Sequence, residues 1–151
     1  MARSLTASAE VFVRRDVHRV WDVVADAEKL DLWADGVRGT RWTSEARGVG
    51  ATFENDHSCG GRTDRVTYAV VQHEPPHRRT VRATTGPYPF EGTMALEATG
   101  GGTCVRHTVT AGADGGCTAL LFAMLAPVLR VVMRRRLRAE LERLRAVLES
   151  R

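Results

Sequence analysis

VHRVWDVVADAEKLDLW, residues 17–33, decides the fold. Val17, Val20, Trp21 and Val24 recur at helical spacing and make one apolar stripe, with Asp16 placed to cap the first turn. Leu30–Ala34 continues as a second short helical piece, and Gly36 is its stop signal. A β-branched and aromatic stretch, Thr6–Val13, precedes the pair as a strand. About ninety residues of strand-like sequence broken by Gly and Pro follow, and then one long Arg-rich helix. A curved sheet with a single long helix across it encloses a cavity instead of a solid core. The order therefore reads α+β, and the expected form is a container for a small molecule.

Working outward, the period after Gly36 changes from 3.6 to two. Arg38–Thr43 and Ala51–Ser58 read as strands joined through Gly48 and Gly50, and the Cys59-Gly60-Gly61 run as a hairpin turn. Arg65–Glu74 is the next strand, ended by Pro75 and Pro76, which cannot donate to a ladder. Arg79–Thr85 follows, then the rigid corner Gly86-Pro87-Tyr88-Pro89. Phe90–Ala98 alternates, with Phe90, Met94 and Leu96 on one face and Glu91, Thr93 and Glu97 on the other. Gly100–Gly102 turns the chain into Thr103–Ala111, and a helix is expected from about Cys117 to Leu148. Its stripe is Leu121, Leu125, Val128 and Val132, then Leu137, Leu141, Leu144 and Leu148; Pro127 removes one backbone donor and is expected to kink it.

A chain of 151 residues fits one domain, 1–151. Its 43% apolar and 26% charged residues exclude wholesale disorder. The net charge of +4 sits in the last helix: from Thr118 onward 8 Arg and 3 Glu give +5, which leaves −1 for the rest. Cys59, Cys104 and Cys117 are odd in number and lack CxxC spacing, so neither a disulfide framework nor a zinc site is expected. No signal pattern opens the chain, and Leu120–Met133, interrupted by Pro127 and Arg130, is shorter than the ~20 residues of a membrane span. A cytoplasmic protein is expected.

Several words in order carry a family resemblance: Val20-Trp21-Asp22-Val23-Val24-Ala25-Asp26, Leu32-Trp33, Val49-Gly50-Ala51-Thr52-Phe53, Glu74-Pro75-Pro76-His77-Arg78, Gly102-Thr103-Cys104-Val105 and Leu141-Glu142-Arg143-Leu144-Arg145. Together they cover nearly the whole chain. The sequence resembles the START-like (SRPBCC) superfamily of helix-grip proteins, of birch-allergen-like fold, and within it the polyketide cyclase/dehydrase and lipid-transport family. The resemblance implies a bent antiparallel sheet of six or seven strands, two short helices and a long C-terminal helix around a cavity. A weaker similarity to tetracenomycin-type aromatase/cyclases rests on Arg65-Val66, the Pro75-Pro76-His77-Arg78 turn, Arg79–Ala83 and Gly86-Pro87-Tyr88. It implies that the pocket face of the middle strand bears Thr67, Ala69, Val71 and His73. In those cyclases that face carries Trp residues, a Ser and an Arg. Here the aromatics are replaced, the Arg position is His73, and Val37 stands where a pocket Tyr would be.

Period-two counting then selects candidates. If Phe53 points inward, so do Asn55 and His57; if Val105 and Val109 do, so does His107. With His73 this puts three histidines on the concave face. An imidazole titrating near neutrality suits proton abstraction beside a carbonyl or protonation of a leaving hydroxyl. His73, His107 and His57 are the catalytic candidates, with Asn55 orienting the substrate. Trp33, Phe53, Thr67, Thr85, Tyr88, Phe90, Met94, Leu121 and Leu125 are the ligand-binding candidates, Trp33 as pocket mouth and Trp21 as core anchor. His18 and His77 are expected exposed. No HxH pair or paired carboxylate accompanies the histidines, so no metal and no cofactor are expected.

Arg134-Arg135-Arg136-Arg138 reads first as a solvated helical face pairing in part with Glu140 and Glu142, and second as a membrane-surface contact; nucleic acid lacks a reader motif. The expected function is binding of a hydrophobic, polyketide-like molecule and its cofactor-free cyclisation or dehydration by acid–base chemistry. The alternative is non-catalytic binding or transport of a hydrophobic ligand or lipid. Monomer and homodimer both remain open.

Overall fold

The computed structural model describes residues 3–59, 61–113 and 116–150, without the side chains at 3, 59, 113 and 116–123. In chain order it runs β1 (Arg3–Val13), α1 (Val17–Val24), a 3-10 turn (Ala27–Lys29), α2 (Leu30–Trp33), β2 (Val37–Trp42), β3 (Thr52–Cys59), β4 (Arg62–Glu74), β5 (Arg78–Ala83), β6 (Phe90–Thr99), β7 (Gly102–Ala113) and α3 (Gly116–Glu149). The strands form one seven-stranded antiparallel sheet in the order β1-β7-β6-β5-β4-β3-β2. The first strand thus pairs with the last, and α1 and α2 carry the chain from one sheet edge to the other. This is the helix-grip architecture.

Local chemistry fixes the crossing. Asp16 caps α1 by accepting from the His18 N–H, and Asp26 does the same for the 3-10 turn through the Glu28 N–H. Val17, Val20, Trp21 and Val24 are the buried face of α1. At the entry to β2, Asp31 accepts from the backbone N–H groups of Gly39 (2.9 Å) and Thr40 (3.2 Å) and from the Thr40 hydroxyl (2.6 Å). The corner before β2 turns at Gly36, whose φ is +70° and whose carbonyl accepts from Ser58 N–H; an added Cβ would meet the Ser58 carbonyl oxygen at 2.4 Å.

The solid core fills one end of the fold. Val11 and Val13 of β1, Leu96 of β6 and Val105 of β7 pack against α1 and against Leu141, Leu144 and Leu148 of α3. A second cluster, Phe53, Val66, Tyr68 and Val70 with Ala27 and Ala51, lies under the 3-10 turn. Between these clusters, beneath the stretch of α3 from Leu129 to Glu140, the interior is open.

Two bulges shift the register and correct the sequence reading. Between Val70 and Gln72 the β4–β5 pairing slips by one residue. Counting back by two from His73 through Val71 therefore lands on the wrong face. The face of β4 that turns inward bears Val66, Tyr68 and Val70, and Thr67 and Ala69 are not on it. A second shift lies in β2, between Arg38 and Arg41. α3 brings the other correction. Leu125, Val128 and Val132 are expected on one stripe with Leu137–Leu148, but the five-residue step from Val132 to Leu137 turns the helix about 140°, and they are 43%, 62% and 55% exposed.

Candidate functional site

The open interior is a cavity of about 700 Å³, large enough for a multi-ring organic molecule. Its walls are mostly aliphatic and aromatic: Leu5, Val109 and Ala111 near one edge, Val66, Val81 and Phe53 opposite, Val24 and Leu30 at the helix pair, and Leu129, Val132, Met133 and Leu137 of α3 as the roof. Trp33, Phe53, Asn55, His57, Tyr88, Phe90, Met94 and His107 all line it, as does Val37.

The remaining candidates lie elsewhere. His73 is on the concave side, paired with Arg79, but its ring packs on Trp21 at 5.6 Å and stays out of the cavity lining. Thr67 bonds the hydroxyls of Thr84 and Thr85, both 2.8 Å away, and neither Thr67 nor Thr85 lines the cavity. Leu125 faces outward, and the Leu121 side chain lies outside the described residues. Trp21 is a core residue, and His18 and His77 are exposed. Among the described residues no group of three or more His, Cys, Asp or Glu side chains is placed to hold a metal ion.

Register explains how the polar groups converge. His73, Arg79, Met94 and His107 form one inward row across β4, β5, β6 and β7. Adjacent strands lie about 4.8 Å apart, which puts the Arg79 and His107 backbones about 10 Å from each other, on either side of Met94. Gly92, in the next row, leaves the space that His107 occupies: a Cβ there would stand 3.3 Å from Nε2. Trp33 meets the His107 ring edge-on at 6.2 Å.

Arg79 is the group the sequence reading missed. It is 4% exposed, its guanidinium stands 5.7 Å over the Phe53 ring, and its Nε and Nη2 have no hydrogen-bond partner. Burial lowers its pKa to about 10, and the carboxylate of Asp26 works against that shift, so the group stays charged at neutral pH. The signal was present: by period two, Arg79 shares a parity with Val81 and Ala83, an Arg on the apolar side of a strand.

Two other groups on the cavity wall have their ionisation set by burial. His107 is pushed down to about 4, so it is a neutral imidazole at pH 7, and its Nδ1 has no partner. Tyr68, stacked on Phe53 at 4.9 Å, is pushed up to about 12 by burial and secondarily by Tyr88; its hydrogen bond with Asn55 opposes this. The Asn55 Oδ1 and the Trp33 Nε1 also lack partners. Buried polar atoms are nearly always paired, and among the described residues the unpaired ones, apart from His73 Nδ1 beside Trp21, gather on this hollow. Donors (Arg79, Trp33) and acceptors (Asn55, His107) stand ready for a guest with oxygen functions.

The mouth beside α3 is charged. Arg136 Nη2 lies 3.3 Å from His57 Nε2, and its Nε lies 3.4 Å from the Asp35 carboxylate and 3.7 Å from Glu140. Arg143 reaches Asp35 at 3.5 Å and the Trp33 carbonyl at 3.1 Å, which ties α2 to α3. Burial, reinforced by Arg136, holds the His57 imidazole below its usual range. Glu140, 8% exposed, is raised to about 7 by burial against the pull of the Asp35 N–H, Arg136 and Arg143. Arg136 is thus part of the site and not of a solvated face. Glu140 was legible too, three residues after Leu137 and four before Leu144 on the apolar stripe.

Comparison with known proteins agrees with this architecture. The family model described as Polyketide cyclase / dehydrase and lipid transport matches residues 4–149. No curated protein sequence matches the chain. A solved structure from Thermus thermophilus is 18% identical at a TM-score of 0.79, over 96% of this chain and 97% of that one. The di-domain ARO/CYC StfQ from the steffimycin biosynthetic pathway is 17% identical at a TM-score of 0.77, over 97% of this chain and 51% of StfQ, about half its length. A START superfamily protein from Mycobacterium smegmatis is 13% identical at 0.70, over 96% and 97%. At these identities the likeness is one of fold.

Proposed function

Because the chain belongs to the Polyketide cyclase / dehydrase and lipid transport family, we propose that its cavity takes an apolar, polyketide-like molecule and promotes ring closure or dehydration by acid–base chemistry without a cofactor. The observation that carries this reading is Arg79: a charged guanidinium, buried with two nitrogens unpaired, facing a hollow whose walls are mostly aliphatic and aromatic. An isolated buried charge is costly unless something supplies its counterpart. A carbonyl oxygen that becomes an enolate is such a counterpart, because its negative charge grows as the neighbouring carbon loses a proton. His107, neutral at pH 7, is the base for that proton. With its pKa near 12, Tyr68 keeps its proton and donates to a second oxygen, oriented by Asn55. The enolate carbon then attacks a second carbonyl of the same chain, and the imidazolium returns its proton to the alkoxide; for dehydration, His107 takes a second α-proton and passes it to that hydroxyl, which leaves as water as the double bond forms. The di-domain ARO/CYC named above, from the steffimycin biosynthetic pathway, shares the fold.

Deuterium exchange at the α-carbon of an aryl ketone in D2O, followed by NMR, tests the acid–base step. Exchange above the buffer rate is expected, falling about 100-fold or more in His107→Gln. A wild-type rate equal to buffer, with the ketone demonstrably bound, removes catalysis and leaves the second reading. That reading, a carrier for a hydrophobic molecule, draws its support from the largely aliphatic walls.

A further inference from the structure

We propose that the first half of α3 is a docking face for an anionic phospholipid bilayer, which it meets with the cavity mouth turned towards the lipid. Met124, Leu125, Val128, Val131 and Val132 are 71%, 43%, 62%, 50% and 55% exposed, the largest cluster of exposed hydrophobic side chains on one described element. At 100° per residue they cover about 120° of the helix circumference, one continuous stripe. Scattered exposed hydrophobes are ordinary, but a contiguous stripe this size is not.

Charge selects the occupant. From Gly115 to Ala139 the sequence holds five Arg and no acidic residue. Arg130, Arg134, Arg135 and Arg138 are all exposed. Arg134 and Arg138 border the stripe along one side, and Arg135 extends it by a turn. An apolar face edged by guanidinium groups is the chemistry of a helix lying in the headgroup layer, apolar side in the acyl boundary and arginines at the phosphates. A second copy of the chain is disfavoured, because pairing the stripe on itself would bring two acid-free Arg clusters together. No described helix is long and apolar enough to cross a membrane, so the contact lies on the surface.

Geometry links the face to the cavity. Val132 lies on the exposed stripe and also lines the hollow, and its neighbours Leu129 and Met133 form the roof. Insertion of the stripe therefore brings this wall of the cavity up to the bilayer, so that an apolar guest passing beside Val132 enters without crossing water. This last step rests on the ligand reading above; the docking itself does not.

Sedimentation with vesicles of phosphatidylcholine containing 30% phosphatidylglycerol tests it, with pure phosphatidylcholine as reference. Binding to the anionic vesicles is expected, weakening as salt is raised. The triple change Arg134→Gln, Arg135→Gln, Arg138→Gln should lower partitioning about 100-fold, about five-fold for each arginine near an anionic surface. Met124→Ser with Val128→Ser and Val131→Ser should lower it while keeping the charge. None of these six residues lines the cavity, so the ketone exchange rate should be unchanged in both variants and reports folding as well as the separate ligand reading. The proposal is overturned if the wild type stays in the supernatant, if either set of changes leaves binding intact, or if sedimentation equilibrium finds a dimer that the serine variant abolishes.

Discussion

Replacing Glu140 by Gln should change the pH dependence of stability in a direction the structure dictates. The carboxyl is raised from 4.5 to about 7, chiefly by burial, so the folded protein favours its neutral form. A group whose folded pKa lies above its unfolded value contributes stability that is complete below the unfolded pKa. That contribution fades as pH rises through the folded one, here between about pH 4.5 and pH 7. The 2.5-unit gap corresponds to about 3 kcal/mol at 1.36 kcal/mol per unit. Glu140 is only 8% exposed, so solvent screening does not reduce this much. Gln does not titrate, and its carbonyl still accepts from the Asp35 N–H. The variant should therefore gain on wild type by about 3 kcal/mol between pH 4.5 and pH 8. His107 works in the opposite sense. Its pKa is lowered from 6.5 to about 4, so its contribution is present above pH 6.5 and lost as pH falls towards 4. The two nearly cancel in wild type, but His107 is common to both proteins and drops out of the difference. Urea unfolding at pH 4.5, 6 and 8, read by tryptophan fluorescence, measures it. A difference that stays constant within about 0.5 kcal/mol across that range would refute the burial argument.

Two further substitutions probe the scaffold. Gly92→Ala puts a methyl 3.3 Å from His107 Nε2 and 3.5 Å from the Phe90 ring; it should lower stability by about 1 kcal/mol in urea unfolding and slow the ketone exchange about 10-fold, because the imidazole must move. Asp31→Ala removes the acceptor of three hydrogen bonds and leaves the buried Thr40 hydroxyl unpaired, a loss of about 1–3 kcal/mol visible as a melting temperature several degrees lower, with Asp31→Asn recovering part of it.

Much of the architecture was legible because each element carries its own period. The α1 stripe, the Asp16 cap, the alternation of β6 and the Leu137–Leu148 stripe of α3 all sit where patterning puts them. Phe53, Asn55 and His57 share the inward face of β3, and His107 shares that of β7, because neither strand is bulged along those residues. β4 failed for the opposite reason. One extra residue at Val71 inverts the parity, and it hid Tyr68 while promoting Thr67. Composition alone also misled at Arg79 and Glu140, since charged residues are ordinarily placed outside. Only their position on apolar parities marks them as interior. Along α3 the step from Val132 to Leu137 is five residues, about 140° of turn, so Val128 and Val132 lie on nearly the opposite face from the buried Leu137–Leu148 stripe and are exposed.

The central claim is that a hollow interior presents an unpaired Arg79 to the oxygen of its guest. Isothermal titration of two probes, naphthalene sulfonate and neutral naphthalene, against wild type and Arg79→Met tests it most directly. Arg79→Met should fold at least as stably as wild type when empty, because an unpaired buried charge has been exchanged for an apolar side chain of similar length. Sulfonate affinity should fall about 10-fold to 100-fold, as for a lost charge-assisted hydrogen bond, while the neutral probe binds both proteins alike. Equal losses for both probes, or no loss for either, would contradict the account.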